Sequence, residues 1–257
     1  MLELQNITKI YNAGQITETC LFEQFSLKIN DGDFVSVVGS NGSGKTSLLN
    51  IICGTIPVDG GEVLLDDKII TKMPEHLRYR QIGRVYQNPS MGSCPDLTIA
   101  ENMALADNKG KHYGLQMGVN AKRLAGYREM LSTLGLGLEN KLDIPVGSLS
   151  GGQRQAMSLL MATMTPIRFL ILDEHTAALD PKTAETIMEL TDRIVKQKKL
   201  TAIMVTHNLR YAVEYGNRML MFHKGQIVME KAGAEKDATK VSDLLALFNE
   251  ISVECGN

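Results

Sequence analysis

The sequence predicts an α/β fold that carries a small antiparallel β subdomain and an inserted helical lobe. Short, nearly continuous apolar runs are typical of buried strands, and FVSVV at residues 34–38 is the first of them. Alternating apolar and polar residues near the start of the chain indicate antiparallel strands. From residue 88 to residue 162 helical patterns replace the strand patterns, which predicts the inserted lobe.

The first part of the chain is predicted to consist mostly of strands. Residues 2–7 and 21–29 alternate as antiparallel strands do, residues 62–70 predict a hairpin, and residues 80–87 predict a further strand. A glycine loop separates the buried strand at 34–38 from a helix predicted over residues 46–53.

The second part of the chain is predicted to begin with helices and to return to strands. Helical patterns cover residues 98–106, 121–134 and 151–165, and a polar loop lies at 107–118. Apolar strands follow at 168–173 and 201–206, each with a helical stretch after it. The last pattern, RMLMFHKGQIVME, predicts a hairpin that turns at Lys224 and Gly225.

Composition narrows the class of protein. A chain of 257 residues can bury a large core, and a formal net charge of -2 gives no electrostatic reason to expect nucleic acid as a partner. No apolar run reaches the roughly 18–20 residues that a membrane-spanning helix needs. The cysteines are scattered without C-x-x-C spacing, so we expect reduced thiols in a cytosolic protein; they are Cys20, Cys53, Cys94 and Cys255.

The glycine loop after the first buried strand matches G-x-x-x-x-G-K-[ST], the phosphate-binding loop of P-loop NTPases. Its glycines let backbone N–H groups surround phosphates, Lys45 can reach the β and γ oxygens, and the Thr46 hydroxyl can bind Mg²⁺. The predicted core is therefore that of a P-loop NTPase. The nucleotide-binding residues expected here are Gly39, Ser40, Asn41, Gly42, Ser43, Gly44, Lys45, Thr46 and Ser47.

Two carboxylates stand at the end of the buried strand FLILD, and α/β sheets bind ligands at that edge. Asp173 can bind to the coordination shell of Mg²⁺. Glu174, one residue further, can position or deprotonate the attacking water. Together with the phosphate loop, this strand end predicts an enzyme that hydrolyses ATP, with ATP and Mg²⁺ as its cofactors.

The stretch Leu149-Ser150-Gly151-Gly152-Gln153 identifies the kind of ATPase. It is the signature sequence of the ATP-binding cassette (ABC) ATPases, and the chain resembles that family from end to end. The resemblance implies a head-to-tail dimer in which Ser150, Gly151, Gly152 and Gln153 of one subunit close over the γ-phosphate held by the other. The glycine-rich helix start at Ser150 then needs no lysine of its own, because the phosphate loop of the partner subunit supplies one.

Further roles are implied by the same resemblance. Gln87 resembles the glutamine that reaches Mg²⁺ and the attacking water, and Asp180 the aspartate of a loop that crosses the dimer interface. His207 resembles the histidine that contacts the γ-phosphate. Tyr11 stands where the family stacks an aromatic ring on adenine, with simple packing on the small sheet as the alternative.

One position departs from the family pattern. After Glu174 the family usually has proline, whereas this chain has His175, in the form DEHTAALD, which resembles a branch of bacterial importer ATPases. Proline fixes φ and removes a donor, but histidine restores an N–H and adds a titratable ring, so the local response to pH is open at this point.

The resemblance also implies a domain organisation. A single domain over residues 1–257 is expected to contain a nucleotide-binding core with the antiparallel sheet at about 1–88 and 163–235. The helical lobe with the signature motif is expected at about 89–162, and a tail helix at 236–257.

The function implied is the energy-coupling subunit of an ABC transporter, with a bacterial importer, for example of amino acids, favoured. The expected partners are transmembrane permease subunits, a second ATPase subunit in a homodimer and, indirectly, an extracytoplasmic substrate-binding protein. The expected location is the cytoplasmic face of the cell membrane. Two alternatives stay open: a mechanical membrane complex for lipoprotein release or division, and a soluble ABC ATPase acting on nucleic acid or the ribosome.

Overall fold

The computed structural model describes residues 1–111 and 118–254. Part of the loop predicted at 107–118, and Cys255, lie outside the described residues. Within them, Cys20, Cys53 and Cys94 form no disulfide. The chain divides into two compact units, Met1–Arg78 with Lys199–Asn257, and Tyr79–Lys198.

The strands, in chain order, are β1 Leu2–Tyr11, β2 Thr19–Ile29, β3 Phe34–Gly39, β4 Gly60–Leu65, β5 Lys68–Ile69, β6 Ile82–Val85, β7 Phe169–Asp173, β8 Thr201–Val205, β9 Arg218–His223 and β10 Gln226–Ala232. The α-helices are α1 Lys45–Cys53, α2 Glu75–Arg78, α3 Ile99–Asp107, α4 Leu124–Ser132, α5 Gly151–Thr163, α6 Pro181–Lys198, α7 Leu209–Glu214, α8 Gly233–Asp237 and α9 Val241–Glu254.

The first unit contains the predicted antiparallel sheet, with strand order β2-β1-β4-β5. Its strands bury one face only, as the alternation of apolar and polar residues in β1 requires. Strands β3, β8 and β9 are parallel to one another, and β10 completes the predicted hairpin with β9. Every residue of β3 and β8 is buried, which explains their continuous apolar character.

The C-terminal helix α9 belongs to the first unit and covers a methionine-rich part of its core. Leu244 is fully buried there with Met219 and Met221 of β9 and with Ala212 of α7. Methionine side chains are flexible and fill irregular spaces between such elements. At this position the methionines therefore pack the core.

The second unit combines the parallel strands β6 and β7 with the helices α3 to α6 and several short 3-10 turns. Helix α3 begins with a capping box, in which the Thr98 hydroxyl accepts the N–H of Glu101 and the Glu101 carboxylate accepts the N–H of Thr98. Helix α4 follows a 3-10 turn at Ala121–Arg123. The helical character predicted for this part of the chain is confirmed.

A single asparagine organises the segment before α3. The Asn102 side chain is 3% exposed, and its Oδ1 accepts the N–H of Cys94 at 2.8 Å. The two hydrogens on its Nδ2 are shared among the carbonyl oxygens of Cys94, Leu97 and Thr98, each at 3.0 to 3.1 Å. One side chain thus supplies hydrogen bonds that a regular element would otherwise supply to this backbone.

Candidate functional site

The phosphate loop lies in the first unit, between β3 and α1. Its lysine is already turned into the loop: Lys45 Nζ donates to the carbonyl oxygens of Gly39 at 2.7 Å and Ser40 at 2.8 Å. Only 5% of the Lys45 side chain is exposed. The ammonium is therefore positioned at the place where the sequence predicts that phosphates bind.

Two glycines of this loop are required by its geometry. A Cβ on Gly39 would lie 2.3 Å from the carbonyl oxygen of Phe222 on the neighbouring strand β9. Gly44 caps α1 with φ at 103°, a left-handed conformation that favours glycine, and no side chain caps the helix. The N-terminus of α1 consequently presents backbone N–H groups and the positive end of its dipole to an anion.

Tyr11 and His207 are the other site residues predicted in this unit. The Tyr11 hydroxyl donates to Ser47 Oγ at 3.2 Å, so the last residue of β1 lies beside the first turn of α1. His207 is exposed and comes two residues after β8. Because Val205 pairs with Val37 in parallel, His207 lies at the same sheet edge as the phosphate loop.

Gln87, Asp173 and Glu174 lie in the second unit, at one edge of the β6–β7 pair. Val85 is in register with Leu172, so the residues that follow the two strands are neighbours. The sequence predicted a strand up to Gln87, but β6 ends at Val85, and Gln87 is exposed in the bend that follows. The strand ends early because the Tyr86 carbonyl accepts a hydrogen bond from Gln155 Nε2 of α5, at 3.0 Å.

The two carboxylates after β7 differ in environment. Asp173 Oδ2 accepts a hydrogen bond from Arg84 Nη2 of β6 at 2.6 Å, and both side chains are largely buried. Glu174 has φ at 47°, a left-handed conformation that a residue with a Cβ seldom adopts. Such strain is often found at functional sites, and here it falls on the residue predicted to handle the attacking water.

The signature stretch begins α5 and is capped by its own side chains. Ser150 Oγ accepts the Gln153 N–H at 3.3 Å, and Gln153 Oε1 accepts the Ser150 N–H at 3.2 Å. Gly152 is needed for packing as well, since a Cβ there would lie 2.2 Å from Thr183 Cγ2 of α6. The structure therefore gives Gln153 and Gly152 roles within the helix start that the sequence interpretation did not include.

Asp180 and His175 both contact α6. Asp180 Oδ1 accepts the Thr183 N–H at 3.1 Å, which makes it the N-cap of a helix that begins with Pro181. The pKa of the Asp180 carboxyl lies below its ordinary value. The largest cause is a hydrogen bond from the Thr183 side chain, followed by the one from the Thr183 N–H. His175 is 2% exposed, and its Nε2 lies 3.0 Å from Thr191 Oγ1.

His175 is neutral at neutral pH, because burial lowers its imidazole pKa from 6.5 to about 4. The tautomer follows from the hydrogen bonds. Since the Thr191 hydroxyl donates to the Ile187 carbonyl at 2.7 Å, it accepts from His175, and Nε2 carries the proton. The ring thus adds no charge beside Glu174 at neutral pH.

A cavity of about 470 Å³ lies in the second unit, with a largely apolar wall. Its lining includes Arg84, Tyr86, Met91, Cys94 and Leu105. Lys109 also lines it; burial lowers the pKa of this ammonium to about 8, and Nζ donates to the Ile82 carbonyl at 3.2 Å. The cavity is adjacent to the segment that follows Gln87.

The sequence interpretation missed Arg84, Asn102 and Gln155. A charged residue in an otherwise apolar strand was the available signal for Arg84, since burying a guanidinium requires a partner. Asn102 and Gln155 are polar residues at positions of the helix patterns that face inward, which is the corresponding signal for them. None of these signals indicates which partner is bound.

Comparison with known proteins places the chain in a family. The family model described as ABC transporter matches residues 22–177. The chain is 44% identical over 248 residues to the tyrosine transport ATP-binding protein of Clostridioides difficile, covering 96% of this chain and 98% of that protein. It is 30% identical over 235 residues to the spermidine/putrescine import ATP-binding protein PotA of Haemophilus influenzae, covering 91% of this chain and 59% of PotA.

Solved structures agree with these relatives. The dimeric structure of a post-hydrolysis state of the ATP-binding cassette MJ0796, bound to ADP and Pi, has a TM-score of 0.76 at 30% identity, covering 90% of this chain and 98% of that one. The ADP conformation of MJ1267, an ATP-binding cassette of an ABC transporter, shares the fold, with a TM-score of 0.79 at 24% identity over 100% of this chain and 99% of that one. No described helix is both long and apolar enough to cross a membrane. By its fold, its phosphate loop and its relatives, the chain belongs to the ABC transporter family as an ATP-binding subunit, and it is an ATPase.

Proposed function

We propose that this chain binds and hydrolyses Mg²⁺-ATP between two copies of itself, and that the resulting motion powers the permease of a bacterial importer. The observation that carries the proposal is the contrast between two helix starts. The N-terminus of α1 has no side-chain cap and holds Lys45 inside its loop, whereas that of α5 has a capping serine and no lysine. The N-terminus of α1 supplies the lysine and that of α5 supplies the serine, so the two helix starts together can enclose a triphosphate.

In this proposal the first unit binds the nucleotide of its own subunit. Residues of the phosphate loop surround the phosphates, Tyr11 stacks on adenine, and His207 contacts the γ-phosphate. Their placement supports these roles, since Tyr11 contacts Ser47 and His207 lies at the sheet edge of the loop. The residues assigned are Tyr11, Gly39, Ser40, Asn41, Gly42, Ser43, Gly44, Lys45, Thr46, Ser47 and His207.

The second unit is proposed to supply the hydrolytic residues. Glu174 accepts a proton from the attacking water, Gln87 orients that water, and Asp173 holds the metal shell. Ser150, Gly151, Gly152 and Gln153 face the γ-phosphate of the partner subunit, and Asp180 lies at the interface. The dimeric, ADP- and Pi-bound state of the cassette MJ0796 supports such an arrangement.

Mg²⁺ suits the oxygen donors assigned to it. Among the described residues no group of three or more histidine, cysteine or acidic side chains is placed to hold a metal. Mg²⁺ does not need one, because proteins usually bind it through one or two carboxylates together with substrate phosphates and water. Asp173 would provide the carboxylate, Thr46 a hydroxyl and Gln87 an amide oxygen. When bound, the ion would neutralise charge on the phosphate oxygens.

A permease is the proposed partner of the second unit. The cavity beside residues 88–97 has the largely apolar lining that a helix from another subunit requires, with a few polar groups for orientation. The relatives support import, and the tyrosine transport ATP-binding protein supports an amino acid as the substrate. The proposed location follows from the partner: the cytoplasmic face of the membrane. The domain limits proposed are those given by the sequence, with the lobe at 89–162.

Complementation in trans tests the composite site. Lys45→Ala removes a charge-assisted contact to phosphate, and Ser150→Arg fills the gap where the partner's γ-phosphate docks, so each variant alone should be nearly inactive. A mixed dimer contains one site with both lesions and one with neither. We therefore expect recovery of up to about half the wild-type ATPase rate per mixed dimer.

Dimerisation provides the control for cooperativity between sites. Light scattering should show ATP-dependent dimers for the wild type and none for Ser150→Arg, while nucleotide affinity of the Ser150→Arg monomer stays near the wild-type value. If Ser150→Arg dimerises normally with ATP, the composite site is wrong. Import is tested separately, by co-purifying the chain with a permease and measuring ATP-driven uptake of tyrosine and other amino acids into vesicles.

A further inference from the structure

We infer that Arg84 is a positioning residue for hydrolysis. It fixes the carboxylate of Asp173 so that the second carboxylate oxygen faces the coordination shell of the metal. This inference rests on the proposed role of Asp173 as the metal carboxylate. It adds a residue of β6 that neither the motifs nor the family resemblance assigns.

The strand register places the arginine where it can act. Arg84 is in register with Ile171 in the parallel pair of β6 and β7, so Asp173, two residues further, projects from the same face of the pair. The guanidinium reaches across to this position, with Nη2 at 2.6 Å from Asp173 Oδ2. The exposed fractions are 6% for the Arg84 side chain and 13% for the Asp173 side chain.

The guanidinium also packs against an aromatic ring. The Arg84 Cζ lies 4.7 Å from the centroid of the Tyr86 ring, a cation–π distance. The Tyr86 hydroxyl shares a hydrogen bond of 3.0 Å with the Tyr79 hydroxyl, so the ring has little freedom to swing away. A planar, rigidly held donor fixes the orientation of a carboxylate better than a mobile ammonium would.

The second carboxylate oxygen of Asp173 is the one that can enter the coordination shell of a metal. Among the described residues, Asp173 Oδ1 accepts no protein hydrogen bond, while Oδ2 is taken by Arg84. Residues behind a metal ligand commonly orient it in this way, and their loss costs roughly 10–100-fold in metal affinity or activity. A purely structural role would be filled more easily by an apolar side chain, because a buried ion pair gives little net stability.

The test is the Mg²⁺ dependence of the isolated chain. Arg84→Met, Arg84→Lys and Asp173→Asn are compared with wild type in two measurements: the affinity for a fluorescent ATP analogue with Mg²⁺ and with EDTA, and the Mg²⁺ concentration that gives half-maximal ATPase rate. For Arg84→Met we expect EDTA affinity within about twofold of wild type and a half-maximal Mg²⁺ concentration raised roughly 10–100-fold. Arg84→Lys should fall between, since it keeps the charge without the planar geometry.

The control variants distinguish the role inferred for Arg84 from the metal role proposed for Asp173. Arg193→Met makes the same chemical change in the same unit, removing a hydrogen bond to the Thr133 carbonyl, and should leave the Mg²⁺ dependence unchanged. If Asp173→Asn also leaves it unchanged, the metal role of Asp173 fails. If Asp173→Asn shifts it and folded Arg84 variants do not, only the role of Arg84 fails.

Tighter Mg²⁺ binding by Arg84→Met would likewise overturn the inference, because it would mean that the guanidinium competes with the metal for Asp173. Thermal melting and the EDTA affinity establish that each variant is folded. If Arg84→Met does not fold, the Arg84→Lys variant provides the test. A wild-type Mg²⁺ dependence in Arg84→Lys would contradict a positioning role for the planar guanidinium.

Discussion

Replacing His175 by glutamine should remove a loss of stability that the wild type suffers in mild acid. The imidazole is 2% exposed and donates through Nε2 to Thr191, so a glutamine amide can take over the hydrogen bond without a titratable group. Burial lowers the imidazole pKa from 6.5 to about 4 in the folded protein. The unfolded chain, where the ring is hydrated, takes up its proton at the ordinary pKa.

The sign and size follow from proton linkage. Below pH 6.5 the unfolded state binds a proton that the folded state refuses until about pH 4, so the free energy of unfolding falls as the pH decreases through that window. The two pKa values give a cost of about 0.2 kcal/mol at pH 7 and about 2 kcal/mol at pH 5. Below pH 4 the cost levels off at about 3 kcal/mol.

Urea denaturation at pH 7 and pH 5 measures this effect directly. The stability difference between His175→Gln and wild type should change by about 2 kcal/mol between the two pH values, in favour of the variant at pH 5. Carboxylates titrate in both proteins and cancel in this comparison. His76, exposed on α2, provides the matched control for the same chemical change at a surface position. A difference that is the same at both pH values would refute the assignment of a neutral, buried imidazole.

Three further changes have defined outcomes. Glu174→Gln should keep nucleotide affinity and slow hydrolysis by roughly 10²–10⁴-fold, the scale for loss of a general base; a rate near wild type would exclude that role. Tyr11→Ala should weaken ATP binding by up to roughly tenfold and Tyr11→Phe much less, and an equal loss for inorganic triphosphate would show that the ring does not touch adenine. Asn102→Ala should lower the free energy of unfolding by about 2–3 kcal/mol because buried backbone groups lose their partners. Asn102→Asp should cost nearly as much in thermal melts, since a carboxylate cannot donate; a small loss for both would contradict the hydrogen-bond account.

Local patterns were sufficient for much of the fold and for the motifs. The hairpin turn is an example: Lys224 and Gly225 have φ values of 43° and 76°, as a two-residue turn with two left-handed positions requires. The phosphate loop is another: its glycine spacing was recognisable in the sequence, and the left-handed φ of Gly44 at the start of α1 is a local requirement of the turn.

Features that depend on distant contacts could not be predicted. Strand β6 is shorter than the pattern of residues 80–87 indicates, since Gln155, far along the chain, takes the Tyr86 carbonyl. Arg84 and Asp173 are 89 residues apart in sequence, and only the register of β6 against β7 brings them together. The pH response of His175 depends on how deeply α6 buries the ring. Sequence identified the residue but not its surroundings.

The hydrogen bonds of Asn102 have a consequence for any partner that enters the cavity. Cys94 and Asn102 both line this space, and the backbone from Cys94 to Thr98 is tied to α3 through one buried amide. The wall is thus ordered before a partner arrives, and association does not have to freeze a mobile loop, which would otherwise cost about 1–2 kcal/mol for each residue fixed. A force applied to this wall is transmitted to α3 as a whole, because the segment and the helix are joined by four hydrogen bonds of one side chain.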